Sequence, residues 1–293
     1  MAISASLVKQ LRETTGAGMM DCKKALVETD GDADAAAELL RKKGQASAAK
    51  KAGRIAAEGC VKVAASPDNK TVAIVEVNCE TDFVAKDENF LGFAEAIAAA
   101  ALEHKPSSVD ALLQAPARAG GTLEEQRQAL IAKIGENIGV RRVHVIEAQG
   151  EIAHYVHSGR IGAVVDLIGG DAELGRDVAM HIAAAAPAFI TEDDVDPDVV
   201  EREKRILTEQ AQQEGKPEEI VEKMVGGRLR KFFGEITLVG QPFVKDPDVS
   251  VGKLLAAKDS KVASFVRIEV GEGIEKKQED FAAEVEAQVR ASQ

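Results

Sequence analysis

Apolar positions recur at three- and four-residue spacing through residues 4–44: Leu7, Val8 and Leu11, then Met19, Met20, Cys22, Ala25 and Leu26, then Ala36, Leu39 and Leu40. Residues so spaced share one helical face, so the pattern predicts three short helices. Gly16 and Gly18 part the first from the second, Gly31-Asp32 supplies a stop and an N-cap, and Gly44 after Lys42-Lys43 is expected to end the third. Residues 45–58 are small and basic and read as a linker. From Cys60 the period changes: Val61 and Val63, then Val72-Ala73-Ile74-Val75-Glu76-Val77, flank Ser66-Pro67-Asp68-Asn69, which predicts a β-hairpin. Helical spacing returns after Asp87, with Phe90, Phe93, Ala94, Ile97 and Ala98 on one side, and again over 123–134.

A second β-rich stretch spans 142–168, broken at Gln149-Gly150 and Ser158-Gly159, and predicts an antiparallel meander. It feeds an Ala-rich helix over 172–186 that Pro187 stops. Strand followed by Ala-rich helix thus occurs twice, and the core is expected to consist of two related halves. Residues 199–233 are charged, carry one apolar stripe and break at Gly215-Lys216-Pro217, predicting a helical hairpin that projects or pairs with another protein. Strand-like sequence resumes at 236–239 and 264–270, and a short amphipathic helix is expected around 280–289. The fold class is therefore α+β and multidomain, with antiparallel sheets.

Length supports this division, since 293 residues with 45% hydrophobic content exceed what one core usually holds. With no Trp, one Tyr and nine Phe the core must be aliphatic. A net charge of −12 opposes general nucleic-acid binding and points to a protein partner or small ligand. No basic segment leads into an apolar run at the N-terminus, and no uncharged stretch reaches the ~20 residues of a membrane helix, so a cytoplasmic protein is expected. Cys22, Cys60 and Cys79 lack Cys-x-x-Cys spacing and read as reduced, buried thiols whose role, if any, is open.

The familiar chemical motifs are missing. Gly252-Lys253 is followed by Leu254 and is preceded by Pro247 where a phosphate loop needs its first glycine. Gly271-Glu272-Gly273 lacks the third glycine of a dinucleotide fingerprint, with Lys276 in its place. His104, His144, His154, His157 and His181 show no metal-ligand spacing. Neither an oxyanion-hole glycine nor a nucleophile elbow surrounds Cys79, and no aromatics interleave the basic run from Arg41 to Arg54. No cofactor, metal or catalytic residue is expected, and the chain reads as a binding protein rather than an enzyme.

Two segments carry more information. Leu11-Arg12-Glu13-Thr14-Thr15-Gly16-Ala17-Gly18-Met19-Met20-Asp21-Cys22-Lys23-Lys24-Ala25-Leu26 and Glu76-Val77-Asn78-Cys79-Glu80-Thr81-Asp82-Phe83-Val84-Ala85-Lys86 resemble the two signatures of the elongation factor Ts family. Their spacing, Lys133-Ile134-Gly135-Glu136-Asn137, His157-Ser158-Gly159-Arg160-Ile161-Gly162, Gly240-Gln241-Pro242-Phe243-Val244 and the stretch 265–281 are similar to the family as well. The resemblance implies a three-helix N-terminal domain of ubiquitin-associated type with its linker (1–54), a first core subdomain (55–141) and a second (142–190 with 234–263). It further implies an inserted antiparallel coiled-coil hairpin (191–233) and a C-terminal module (264–293).

It also implies the function: guanine-nucleotide exchange on elongation factor Tu, with no covalent chemistry and no nucleotide bound by this chain. By resemblance Thr81, Asp82, Phe83 and Val84 enter the GTPase near its magnesium site. Arg12, Met19, Met20, Ile134, Gly135, His157, Phe243 and Val244 are assigned to other partner contacts. On pattern alone Asp82-Phe83 reads instead as a helix N-cap with a core phenylalanine, and the two methionines as helix core. Glu80 stands where family members often carry Gln, and Lys245 where the position is often apolar. An alternative is a binding module whose three-helix head recognises ubiquitin-like or nascent-chain partners without exchange. Whether the hairpin mediates dimers of heterodimers is left open by the sequence.

Overall fold

The computed structural model describes residues 3–118, 120–214 and 217–275. Three helices open the chain: α1 (Ala5–Thr15), α2 (Met19–Glu28) and α3 (Ala33–Lys51). Ser4 caps α1 by accepting from the Leu7 N–H, and Asp32 caps α3 by accepting from Asp34 and Ala35, each satisfying donors that the first turn leaves free. Val8, Leu11, Cys22, Ala25, Leu26 and Ala36 form their shared core.

The third helix does not stop at Gly44, and the linker expected over 45–58 shrinks to residues 52–57. The reason is tertiary. A Cβ on Gly44 would lie 3.6 Å from the Gln128 carbonyl of α6 (Leu123–Ile134), so the missing side chain lets two helices approach closely. Arg41 pairs with Glu125 at 3.3 Å across the same contact, and Ala48 is buried in the core beyond it. Packing of this kind outweighs the roughly 1 kcal/mol that glycine costs inside a helix.

β1 (Glu58–Ala65) and β2 (Thr71–Cys79) form the expected hairpin, and β3 (Gly139–Glu147) pairs with the other edge of β2. Between β2 and β3 lie α4 (Glu88–His104), α5 (Val109–Leu113) and α6. The second sheet repeats this plan. β4 (Glu151–His157) and β5 (Ile161–Ile168) form a hairpin, α7 (Ala172–Ala185) follows, and β8 (Lys261–Glu269) returns to the free edge of β5. The anticipated meander is thus wrong at one joint: β3 completes the first sheet and β4 starts the second. At that crossing the Asp166 carboxylate accepts from the N–H groups of Gln149 and Gly150 at 2.8 and 2.9 Å. Period-2 patterning identifies a strand but not its neighbour.

The two sheets pack face to face with helices outside. Ala73, Val75 and Val77 of β2 meet Phe90, Phe93, Ala94 and Ile97 of α4, whereas Val72 and Ile74 face the other sheet with Val61, Ile152, Val164 and Ile268. A strand covered on both faces needs apolar residues at consecutive positions, which accounts for the run from Val72 to Val77. Gly162 of β5 lets the sheets approach closely: a Cβ there would fall 2.6 Å from Val61 Cγ1 and 2.9 Å from Ile74 Cδ1. On the outer side of the second sheet, Ala163, Val165 and Leu167 pack on Val178, Ala179 and Ile182 of α7.

Glu76 is fully buried on the inter-sheet face of β2. Its carboxylate accepts from Arg142 Nε at 2.5 Å, the Gly271 N–H at 2.8 Å and Arg141 Nη1 at 3.2 Å. Burial pushes its pKa up, but the Gly271 N–H, Arg142 and Asn78 more than offset this and hold it below the usual carboxylate range.

The helical hairpin consists of α8 (Pro197–Gln213) and α9 (Glu218–Ile236), joined along Leu207, Ala211, Val221 and Val225. Its ends are fastened together: Phe189 and Thr237 form a parallel bridge, and the N–H groups of Leu238 and Val239 donate to the carbonyls of Phe189 and Ile190 at 2.8 and 3.1 Å. The strand expected at 236–239 is therefore the end of α9 and this bridge. β6 (Pro242–Phe243), β7 (Asp246–Ser250) and α10 (Val251–Ala256) follow, none of which the sequence pattern announces. Gly215, Lys216, Lys276, Phe281 and the helix expected around 280–289 lie outside the described residues. Among the described residues no helix is long and apolar enough to cross a membrane.

Candidate functional site

Residues 80–87 connect β2 to α4, and Asp87, not Asp82, caps the helix by accepting from Asn89 and Phe90. Released from capping, Asp82 and Phe83 stand at the surface. Phe83 is 82% exposed, the largest exposure of any large apolar side chain among the described residues. An exposed phenylalanine forgoes roughly 1.5–3 kcal/mol that burial would supply, so the loop must be held open by something else.

The restraint comes from the segment that follows α6. Gly135 ends that helix at φ +92°, a left-handed conformation that glycine adopts without steric penalty, and so turns Glu136 and Asn137 toward the loop. Glu136 Oε2 accepts from the N–H groups of Glu80 and Thr81, both at 3.0 Å, while Oε1 accepts from the Thr81 hydroxyl at 2.6 Å. Thr81 Oγ1 in turn accepts from the Val84 N–H at 3.3 Å, starting a 3₁₀ turn over Val84–Lys86. Asn137 donates its own N–H to Glu80 Oε1 at 2.5 Å and its side-chain amide to the Arg54 carbonyl at 2.8 Å. Glu80 also meets Arg54 at 3.4 Å, so an acid at this position has a cation to pair with. Val84 and Ala85 pack on the first core and anchor the far side of the turn.

Asp82 accepts from Lys86 Nζ at 2.9 Å, and that hydrogen bond keeps its carboxyl below the usual range. Beside the pair runs an open groove of about 740 Å³, lined by Lys62, Asp82, Lys86, His154, Val156 and Arg160 among others. His157 is exposed at the end of β4, where its Nδ1 lies 3.1 Å from the Tyr155 hydroxyl. Ile134 is half-buried and Gly135 exposed next to the Glu136 clamp.

The remaining assigned residues lie elsewhere. Met19 and Met20, 58% and 61% exposed, begin α2, and Arg12 is exposed in the last turn of α1; this unit reaches the loop through α3, Arg54 and Asn137. Phe243 is buried, its ring tilted against that of His181 at 6.0 Å between centroids, while Val244 is exposed. Val244 donates its N–H to His181 Nδ1 at 3.3 Å, and His181 Nε2 donates to Gln241 at 3.0 Å. Burial lowers the pKa of His181 and keeps the imidazole neutral. In the chain by itself Phe243 is thus covered and packs on His181, while Val244 is the member of the pair at the surface.

The three cysteines are buried and unpaired with one another. Burial pushes Cys79 up to about 12 and Cys60 to about 11, which leaves both as unreactive thiols; Cys79 donates to the Thr81 carbonyl at 3.2 Å.

Sequence reading missed Glu136, Asn137 and Lys86 as parts of this site. The one local signal was a helix-stopping glycine followed at once by Glu-Asn, side chains able to accept from and donate to backbone.

The sequence model of the family described as "Elongation factor TS" matches residues 80–272. Among curated proteins, the chain is 59% identical to elongation factor Ts of Methylococcus capsulatus and 60% identical to that of Alkalilimnicola ehrlichii, each over all of both chains. It is 52% identical to elongation factor Ts of Legionella pneumophila over 98% of this chain and 99% of that protein.

Proposed function

Because the chain belongs to the elongation factor Ts family, we propose that it is a guanine-nucleotide exchange factor that binds GDP-loaded elongation factor Tu and accelerates GDP release in translation elongation. It acts by binding and makes or breaks no covalent bond. The observation that carries this reading is Phe83, left 82% exposed at the apex of a loop whose base is tied down. A soluble fold gains nothing from such display, and a partner that buries the ring does.

The proposed mechanism follows from how a GTPase holds GDP, through phosphate-loop amides and a magnesium ion. Thr81, Asp82, Phe83 and Val84 enter beside that ion. Burial of the Phe83 ring supplies roughly 1.5–3 kcal/mol, and the Asp82 carboxylate, already ionised, repels the phosphates and competes for the metal's surroundings. Each 1.4 kcal/mol is about tenfold in affinity, so a few contacts suffice to loosen GDP. Linkage requires the reverse: nucleotide weakens the exchange factor's own hold by the same factor and ejects it. Ile134, Gly135 and His157 extend the contact around the loop, Met19, Met20 and Arg12 add one from the N-terminal helices, and Val244 one from the second half.

In the same reading the three N-terminal helices are the ubiquitin-associated-type head, residues 55–141 and 142–190 with 234–263 the two core subdomains, and α8–α9 the inserted coiled coil. Release of a fluorescent GDP analogue from elongation factor Tu tests the proposal. Strong acceleration by this chain and its loss in a folded Phe83→Ala variant support it; no acceleration by the folded parent chain overturns it.

A further inference from the structure

The base of the Phe83 loop has one keystone, and its partners are separated from it by 55 and 56 residues of chain. Both oxygens of Glu136 are used on three donors, two of them consecutive backbone N–H groups. Those N–H groups, on Glu80 and Thr81, are where β2 ends and its ladder no longer supplies acceptors. Without a carboxylate here they would turn to water and the loop would sample many conformations. With it, the direction in which the chain leaves the strand is fixed one residue before Asp82.

We infer that Glu136 is the positioning residue of the exchange site: it touches neither GDP nor metal but holds residues 81–84 in the conformation that presents Phe83. The inference rests on the exchange reading above and names the group that makes the loop ready in advance. Ordering four residues at the moment of docking costs conformational entropy that a loop already fixed does not lose. The benefit therefore falls on the step in which the ring enters, more than on first encounter, to which Met19, Met20, His157 and Val244 also contribute.

A glutamine serves in place of the glutamate, because its carbonyl accepts from both N–H groups while its amide donates to the Thr81 hydroxyl. An alanine does not. The chain carrying Glu136→Ala is expected to give a maximal rate of GDP release roughly tenfold below that of the parent, with the KM for the GDP-loaded GTPase within about twofold. Glu136→Gln is expected to restore most of the rate. In a Phe83→Ala background the Glu136→Ala change should add less than about twofold, since there is no ring left to position. An undiminished effect in that background, or an unchanged rate in folded Glu136→Ala, overturns the inference.

Amide hydrogen exchange of the free protein provides the separate readout. Faster exchange at Glu80 and Thr81 in Glu136→Ala, reversed in Glu136→Gln, supports the clamp, and unchanged exchange overturns it. This arm needs no GTPase. Failure of the parent chain to accelerate GDP release from the GTPase would overturn the exchange reading, whereas acceleration by the parent with unaltered amides in Glu136→Ala would overturn the role of Glu136 alone.

Discussion

The two sheet-and-helix halves follow one plan: a hairpin, a helix laid on the outer face, and a third strand returning to the hairpin's second member. They part where the central strand hands over to its helix. In the second half three residues suffice, Gly169, Gly170 and Asp171, and Asp171 caps α7 directly. In the first half the same connection takes residues 80–87, with Asp87 as the cap, and the additional chain lifts Phe83 into solvent. The common part is what an antiparallel sheet needs to cover one face. The surplus, anchored to the core by Val84 and Ala85, carries the exposed Phe83 on which the proposed function rests. Each half also buries one acid between the sheets, and these differ in the same spirit: Asp166 is satisfied by two backbone N–H groups, whereas Glu76 draws on two arginines and the chain after β8.

The sharpest test of that difference is the acid pair. Glu76→Ala leaves Arg141 and Arg142 without their common anion and is expected to cost about 3 kcal/mol in urea unfolding, against about 1–2 for Asp166→Ala, whose orphaned donors lie at a turn. Because the Glu76 pKa is depressed in the fold, its contribution is complete above the unfolded carboxylate pKa and disappears as pH falls through the folded value. Parent stability should therefore decline more steeply than that of Glu76→Gln in an acid titration below about pH 5. Equal costs for the two acids would dissolve the contrast.

Next in size is Phe83→Ala, expected to slow GDP release about tenfold to a hundredfold while shifting unfolding stability by less than about 0.5 kcal/mol. A large loss of stability would mean that the loop belongs to the core after all. Gly162→Ala probes what the halves share. A methyl group 2.6 Å from Val61 Cγ1 must push the sheets apart or move side-chain tips, at an expected cost of about 1 kcal/mol or somewhat more in thermal or urea unfolding. The smallest effect concerns His181, which burial keeps neutral. Its folded pKa is lowered, so stability is lost as pH falls below the unfolded histidine value, where the unfolded chain takes up the proton more readily. Between about pH 7.5 and about pH 5.5 the parent should lose slightly more stability than His181→Asn, the remaining slope including His144 and His154, whose pKa values burial also lowers.

Much of the architecture could be read from periodicity because burial imposes it locally. The β1–β2 hairpin, α4, α6, α7 and the α8–α9 hairpin each bury a face whose spacing is visible in the chain. What escaped was set by distant neighbours. Gly44 looks like a helix stop until Gln128 is placed beside it, and β3 looks like the first strand of a meander until it is seen to fill the second edge of β2. The site divides similarly. Phe83 has the composition of a core residue, and resemblance, not pattern, marked it as a contact. Resemblance singled out the segment that holds Glu136 but gave this residue no role, since its meaning lies in hydrogen bonds to residues 80 and 81 across more than fifty positions. Of the two neighbours assigned by resemblance to a contact, Phe243 is buried and Val244 exposed, a difference that the sequence does not display.

The fastened ends of the α8–α9 excursion have a consequence for how this chain could be edited. Phe189 and Ile190 lie alongside Thr237, Leu238 and Val239, tied by their own backbone. The bridge is parallel, and the Ile236 carbonyl accepts from the N–H groups of Ala188 and Phe189, so the joint survives a deletion only if it is made further out, where the antiparallel helices α8 and α9 can be rejoined by a short loop at little loop-closure entropy. The hairpin is attached to the second half as a branch is to a stem: cut back from its tip it is shortened without reopening the joint, and the contribution of its outer part to the protein's work can be measured by subtraction.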